Sequence, residues 1–467
     1  MIKAELYRNK KVAVFGLGKS GMATINSVIA GGGTVYAGDD KNTSLESAKK
    51  AGALTPPITN FPWKEITSLI LSPGVPLTHP KPHPVVELAR EHNVEIIGDV
   101  EVLHRHNPDA KYIGITGTNG KSTTTALTYH IFREAGLNVQ VGGNLGTAAL
   151  TLEPLGDDGH YVLEMSSYQL DLINDCRFNV AMLLNITPDH IDRHGTMLGY
   201  ITAKKRIFDK QQDDDFAVVS LDDQFSAGIY EFLTKFENRA NVIPVTLQGQ
   251  IGGGVFANEG SVFVSLDPNH ISEFDISSVQ SLRGSHNWQN ACFAIAAAMA
   301  SGISMDVIFK ALVSFPGLAH RMEKVGEVEG VTFINDSKAT NADAASRALV
   351  CYKNIFWIAG GKAKEGGIES LSPFYNRINK AFLIGEAQDK FATTLEGKVD
   401  CEKCDTLEVA FERAADEAYL SGLKDAVVLL SPACASFDQW PNFEARGDAF
   451  RELTTRFIKR LNTTTKK

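Results

Sequence analysis

Thr116-Gly-Thr-Asn-Gly-Lys-Ser-Thr123 brings together two glycines, an ammonium and a run of hydroxyls. The apolar run Tyr112 to Ile115 in front of it reads as a buried strand, and a helical pattern follows from Ser122 and Thr123. Glycines at such a junction let backbone N–H groups converge on phosphate oxygens, and the helix N-terminus adds partial positive charge. Lys121 can reach terminal phosphates, and the hydroxyl of Ser122 or Thr123 can hold Mg²⁺. The spacing is shorter than the general G-x-x-x-x-G-K-[ST] pattern, because Ile115 occupies the place of its first glycine. A nucleoside triphosphate is the ligand this loop predicts.

Other chemistry-bearing residues cluster where strands end, the positions that face the ligand crevice of a parallel sheet. The strand Tyr161 to Glu164 finishes in a carboxylate, and the strand from Val180 leads to Asn185, Asp189 and His190. Mg²⁺ beside a triphosphate takes a few oxygen ligands plus water, which suits Glu164. His190 could take a second cation directly. Thr202-Ala-Lys-Lys-Arg-Ile-Phe208 lies on a predicted helix, and by pattern alone its basic run reads as a solvated face. Asn335-Asp-Ser-Lys-Ala-Thr-Asn341 mixes a carboxylate, an ammonium and hydroxyls, as a ribose and a phosphate require. Ser431-Pro-Ala-Cys-Ala-Ser-Phe-Asp-Gln-Trp440, with Phe443 beyond it, would form a shallow cup for a small polar ligand.

The elements that must position these groups alternate short apolar strands with helical patterns along the whole chain. At 467 residues the chain is too long for one core, and about three domains are expected. The predicted class is α/β, with consecutive domains at 1–108, 109–315 and 316–467: Rossmann-like, P-loop ATPase-like and Rossmann-like. In the first, the strand Val12 to Phe15 runs into Gly16-x-Gly18-x-x-Gly21, a helix continues to about Ala30, and the strand from Thr34 ends at Asp39-Asp40. This resembles a dinucleotide fingerprint, with the acidic pair placed for a ribose hydroxyl. Alone it predicts only a diphosphate-bearing nucleotide or a tightly packed corner. Ser72-Pro-Gly74 adds a rigid turn at the same sheet edge, and His106-Asn-Pro-Asp109 reads as a linker. Gly252-Gly-Gly254 and the alternation around Val262 suggest a hairpin insertion, and 287–300 an alanine-rich helix.

A net charge of −9 argues against a nucleic-acid surface. The longest apolar helical stretch, Ala291 to Ala300, is too short to span a bilayer, so no membrane segment is expected. Six cysteines without framework spacing fit a reducing cytosol, and the lone Cys401-x-x-Cys404 lacks the second pair a zinc site needs.

Over nearly its whole length the chain resembles the Mur ligases. The resemblance rests on the 116–123 loop, Glu164-Met-Ser-Ser-Tyr-Gln169, Asn185-Ile-Thr-Pro-Asp-His190, Ala203-Lys204, His286-Asn287 and Ala319-His-Arg-Met322. The segments 335–341 and 431–439 are similar to those of the branch that adds D-glutamate. The resemblance implies a cytoplasmic, monomeric ATP- and Mg²⁺-dependent enzyme of cell-wall peptide synthesis, with UDP-N-acetylmuramoyl-L-alanine and D-glutamate as substrates. It implies that Gly16, Leu17, Gly18, Lys19, Ser20, Asp40, Lys41, Ser72, Asn144 and His190 bind the UDP-substrate. Gly117, Thr118, Asn119, Gly120, Lys121, Ser122, Thr123, Asn287, Asn290, Arg321 and Asp336 match nucleotide contacts. Ser122, Glu164, His190 and Lys204 match the metal site, Lys204 as a carbamate. Thr340, Lys364, Ser436 and Phe443 match residues around D-glutamate, with Lys362 a rival to Lys364. Lys121, His190, Lys204 and Lys338 form the implied catalytic set.

Overall fold

The computed structural model describes residues 1–144, 146–237, 240–267, 270–363 and 367–464. These carry three sheets in succession. The first holds β1 (Lys11–Phe15), β2 (Thr34–Gly38), β3 (Ile66–Leu71) and β4 (Glu95–Ile97), all parallel, in the order β2-β1-β3-β4. The second is built from β5 (Lys111–Thr116), β6 (Asn138–Gly143), β7 (Gly159–Glu164), β8 (Val180–Leu183), β9 (Phe216–Ser220), β10 (Asn241–Thr246), β11 (Gly254–Asn258), β12 (Ser261–Asp267) and β13 (His270–Asp275). Its order is β13-β12-β11-β10-β9-β8-β5-β7-β6, parallel except at the β11-β12-β13 edge. That antiparallel edge is the predicted hairpin insertion.

The third sheet contains β14 (Glu323–Val328), β15 (Val331–Asn335), β16 (Ile355–Gly360), β17 (Ile378–Ile384), β18 (Cys401–Asp405) and β19 (Ala426–Leu430), in the order β14-β15-β19-β16-β17-β18. Only β14 runs antiparallel. The central strands are continuous apolar runs because helices cover both faces. On β18, Cys401 packs toward one core and Cys404 is part of the other, across the sheet. Two thiols on opposite faces cannot share a metal.

The described residues divide into two compact units: Met1–Ser277 with Asn287–Phe315, and Ser278–His286 with Pro316–Lys467. The first contains both of the first two sheets, whose buried residues form a common core from Ile2 to Leu233. The helix Asp99–His106 joins them tightly. Its buried Glu101 accepts backbone N–H bonds from Asn174, Asp175 and Cys176 at 2.8–3.1 Å, and Arg105 donates to it at 2.8 Å. The 106–109 segment is no loose connector either: Asn107 is buried, and its carbonyl accepts from the Tyr112 hydroxyl at 3.0 Å.

Candidate active site

The phosphate-type loop follows β5, and its helix runs Lys121–Glu134. Gly120 takes a left-handed φ of +86°, and a Cβ there would lie 2.4 Å from Asn290 Oδ1. Only glycine fits that contact. The buried Asn290 comes from the helix Ser285–Ala300, accepts from the Thr124 hydroxyl at 3.2 Å and donates to Asn287 Oδ1 at 3.1 Å. Asn287 and Asn290 thus brace the loop from behind. On the other side, Asn185 accepts from the Asn119 N–H at 2.9 Å and donates back to its carbonyl at 3.1 Å. The Thr118 hydroxyl bridges the Thr187 carbonyl and the Tyr200 hydroxyl, each at 3.1 Å. Ser122 and Thr123 occupy the first turn, Thr123 buried.

Two lysine side chains converge on this loop. Lys121 Nζ donates to the carbonyls of Gly117 (2.7 Å) and Thr118 (2.8 Å). Lys204 Nζ donates to the same Gly117 carbonyl at 2.8 Å and lies 4.7 Å over the Tyr200 ring. Lys204 is 1% exposed, so the basic run on Met197–Lys205 is not the solvated face its pattern suggested. Burial, reinforced by Lys121, holds the Lys204 amine well below the ordinary lysine range. Hydropathy could not reveal this, because Lys205 and Arg206 beside it remain partly accessible.

A cavity of about 400 Å³ is lined by Lys121, Asn144, Tyr168, Asp189, His190 and Lys204, among others. Asn144 donates to Glu164 Oε1 at 2.6 Å, while the buried Oε2 has no hydrogen-bond partner among the described residues. A buried carboxylate oxygen left unpaired costs free energy unless something positive meets it. A divalent cation at the end of β7 would meet that oxygen, and the Ser122 hydroxyl and Glu164 carboxylate are oxygen donors of the kind Mg²⁺ takes. His190 sits half-exposed at a left-handed φ of +53°, its Nε2 3.4 Å from Asp189.

Sequence reasoning missed the layer beneath. His194 Nε2 bonds Ser167 Oγ at 2.9 Å, and its ring stacks on Tyr168 at 5.4 Å between centroids. Burial and the neighbouring cations push its pKa down to about 4. The i+4 spacing from His190 was the available signal.

At the first sheet, Gly16 (φ +87°) approaches Ser72, and Ser20 Oγ faces Ser72 Oγ at 3.3 Å. The helix Lys19–Ala30 begins directly after Gly18 and offers its first N–H groups there. Leu17 is a core side chain whose N–H donates to Asp39 Oδ2 at 2.5 Å, and Asp39 also takes the Lys41 N–H. Asp39 therefore fastens the glycine turn to β2. Asp40 is exposed and faces His83 at 3.2 Å.

In the second unit, Asp336 follows β15, buried, and accepts from Ser431 Oγ (2.7 Å) and the Met322 N–H (3.2 Å). Burial raises its pKa to about 7, against the opposing pull of Arg321 and Arg347. Lys338 Nζ lies 4.0 Å over the Phe443 ring. Ser436 is buried, Thr340 half-buried, and Lys362 pairs through its backbone with Ala435. Lys364 lies outside the described residues. Arg446 was not foreseen: it is buried and donates to the Ser337 and Cys434 carbonyls at 2.9 and 3.1 Å.

The Mur ligase middle domain matches residues 115–298, and the Mur ligase glutamate ligase domain matches residues 320–434. The chain belongs to the Mur ligase family. Within it, the proteins named UDP-N-acetylmuramoylalanine--D-glutamate ligase from Nitrobacter hamburgensis and Caulobacter vibrioides are 50% and 49% identical to it, each over 457 residues. These alignments cover 97% of this chain and 98% and 97% of theirs. The solved UDP-N-acetylmuramate-alanine ligase from Thermotoga maritima shares the fold, with a TM-score of 0.56 at 16% identity over 98% of this chain and 100% of that one. No helix among the described residues is long and apolar enough to cross a membrane.

Proposed function

We propose that this chain is an ATP-dependent ligase that joins D-glutamate to UDP-N-acetylmuramoyl-L-alanine in peptidoglycan precursor synthesis, acting as a cytoplasmic monomer. The observation that carries the reading is the meeting of Lys121 and Lys204 on one carbonyl of the glycine loop, in the first unit that also holds the unpaired Glu164 oxygen. The near relatives' printed name supports the choice of amino acid.

The alanine carboxylate attacks the γ-phosphorus of ATP, and the bond to the bridging oxygen breaks to release ADP. The D-glutamate amine then attacks the acyl carbonyl carbon, the C–O bond to phosphorus breaks, and the amine surrenders a proton as phosphate leaves. Two unit negative charges at 4 Å repel by about 4 kcal/mol at an effective dielectric of 20. Lys121 offsets this by exchanging its two loop carbonyls for phosphate oxygens. Mg²⁺, when held by Ser122, Glu164, His190 and Lys204, neutralises phosphate charge. The neutral amine that burial favours at Lys204 is the form that can capture CO₂, forming an N–C bond and releasing one proton to leave a carbamate anion.

We assign the glycine turn at Gly16 to Ser20, with Asp40, Lys41, Ser72 and Asn144, to the UDP-substrate, and the loop with Asn287, Asn290, Arg321 and Asp336 to ATP. Thr340, Lys364, Ser436 and Phe443 are assigned to D-glutamate, with Lys338 beside the reacting phosphate. An ammonium and hydroxyls suit its two carboxylates. The domain boundaries 1–108, 109–315 and 316–467 follow this division of substrates. The test is mass-spectrometric detection of the amide product with ATP, the UDP-sugar-alanine and each glutamate enantiomer. Product with D-glutamate and essentially none with L-glutamate is expected; equal product from both, or none from either, refutes the assignment.

A further inference from the structure

Arg193 lies three residues after His190, on the short helix Ile191–His194, and connects two parts of the first unit far apart in sequence. Its Nη1 donates to the Gly74 carbonyl at 3.0 Å, and Nη2 donates to the Pro73 carbonyl at 3.4 Å. The guanidinium carbon sits 4.5 Å over the centre of the Tyr168 ring. Pro73, Gly74 and Tyr168 line the same cavity as Lys121, His190 and Lys204. The residue before Pro73 is Ser72, whose hydroxyl faces Ser20 at the glycine turn of the first sheet. One guanidinium thereby ties the turn beside the first sheet's glycine corner to the loop that carries His190.

We propose that Arg193 is a positioning residue for the UDP-sugar-peptide: it fixes the Pro73-Gly74 turn in place on the wall of the reaction cavity. The inference rests on the ligase reading, in which one long substrate has its diphosphate at the glycine turn and its carboxylate in the cavity. Such a substrate is placed productively only if the two ends of its site are held in register, and misplacement by an ångström is costly. The tie uses backbone carbonyls, so it does not depend on side chains at 73 or 74. A planar guanidinium can hold two carbonyls at once while stacking on an aromatic face; a lysine ammonium cannot do both. In a trans peptide the N–H points opposite to the carbonyl. Drawing the Pro73 carbonyl toward Arg193 directs the Gly74 N–H the other way and strengthens it as a donor.

The experiment compares wild type, Arg193→Lys and Arg193→Ala as full chains with Mg²⁺ and all three substrates. Arg193→Ala should raise KM for the UDP-sugar-peptide at least tenfold, with Arg193→Lys intermediate, while KM for ATP and for D-glutamate stay within twofold. A general structural role would move all three KM values together, and that result, or an unchanged UDP-sugar-peptide KM, overturns the proposal. If the alanine variant does not fold, the lysine variant decides by the same split. Wild type that turns over no UDP-sugar-peptide defeats the ligase reading instead. In that event, calorimetric titration of the same compound decides for Arg193: equal affinity in wild type and the lysine variant refutes its role.

Discussion

Lys204 illustrates how a residue's surroundings change its chemistry. An ammonium on the surface would screen its charge with water; here burial beside Lys121 drives it toward the neutral amine. Lys204→Ala is expected to lose most activity, and added short carboxylates should restore part of it by standing in for the proposed carbamate. Wild-type turnover in the unrescued variant would remove Lys204 from the mechanism. His194 gives a pH signature. Its folded pKa of about 4 lies below the ordinary histidine value. The unfolded chain therefore binds the extra proton between pH 6.5 and 4, so stability falls as pH falls through that window, by at most ~3 kcal/mol. Urea midpoints at pH 7 and pH 5 should differ more in wild type than in His194→Gln; identical slopes would contradict the burial argument. The ligand-like residue types at Lys121, Glu164 and His190 were legible in the sequence because their chemistry is rare at strand ends. The roles of Arg193, His194 and Tyr200 were not, because their importance lies in which distant segments they touch.

At the level of elements, the glycine loop works because a helix far along the chain presses against it. Gly120→Ala would set a Cβ 2.4 Å from Asn290 Oδ1 at a positive φ. Backbone strain of roughly 2 kcal/mol is expected from such a change. Displacement of the loop should also lower kcat/KM for ATP by about a hundredfold. Denaturant melts and ATP kinetics check the two effects, and an unperturbed variant would mean the loop is not held as described. Several strands were legible to within two residues: the apolar runs Val12 to Phe15, Tyr112 to Ile115 and Tyr161 to Glu164 fall within β1, β5 and β7. Apolar runs ending in glycine or polar groups define strands from either side. Asn290 was legible only as part of an alanine-rich helix, since its reach to Gly120 is a tertiary contact. At 106–109, likewise, proline and asparagine mark a turn but do not report that Asn107 is buried.

For the whole molecule, a succession of three α/β sheets was legible from the alternation of strand and helix patterns, and the negative net charge left local cations to meet anionic substrates. How the first two sheets merge into a common core was not, because the contacts of Ile2, Glu101 and Leu150 are long-range. The central claim is that the chain brings a carboxylate and a polyphosphate together and lets the first attack the second. Oxygen transfer tests it directly. With the alanine carboxylate of the UDP-sugar-peptide labelled with ¹⁸O, ATP and D-glutamate, each phosphate released should carry one labelled oxygen in step with amide formation. Phosphate free of label, with both labelled oxygens retained in the sugar-peptide or lost to water, would contradict the account.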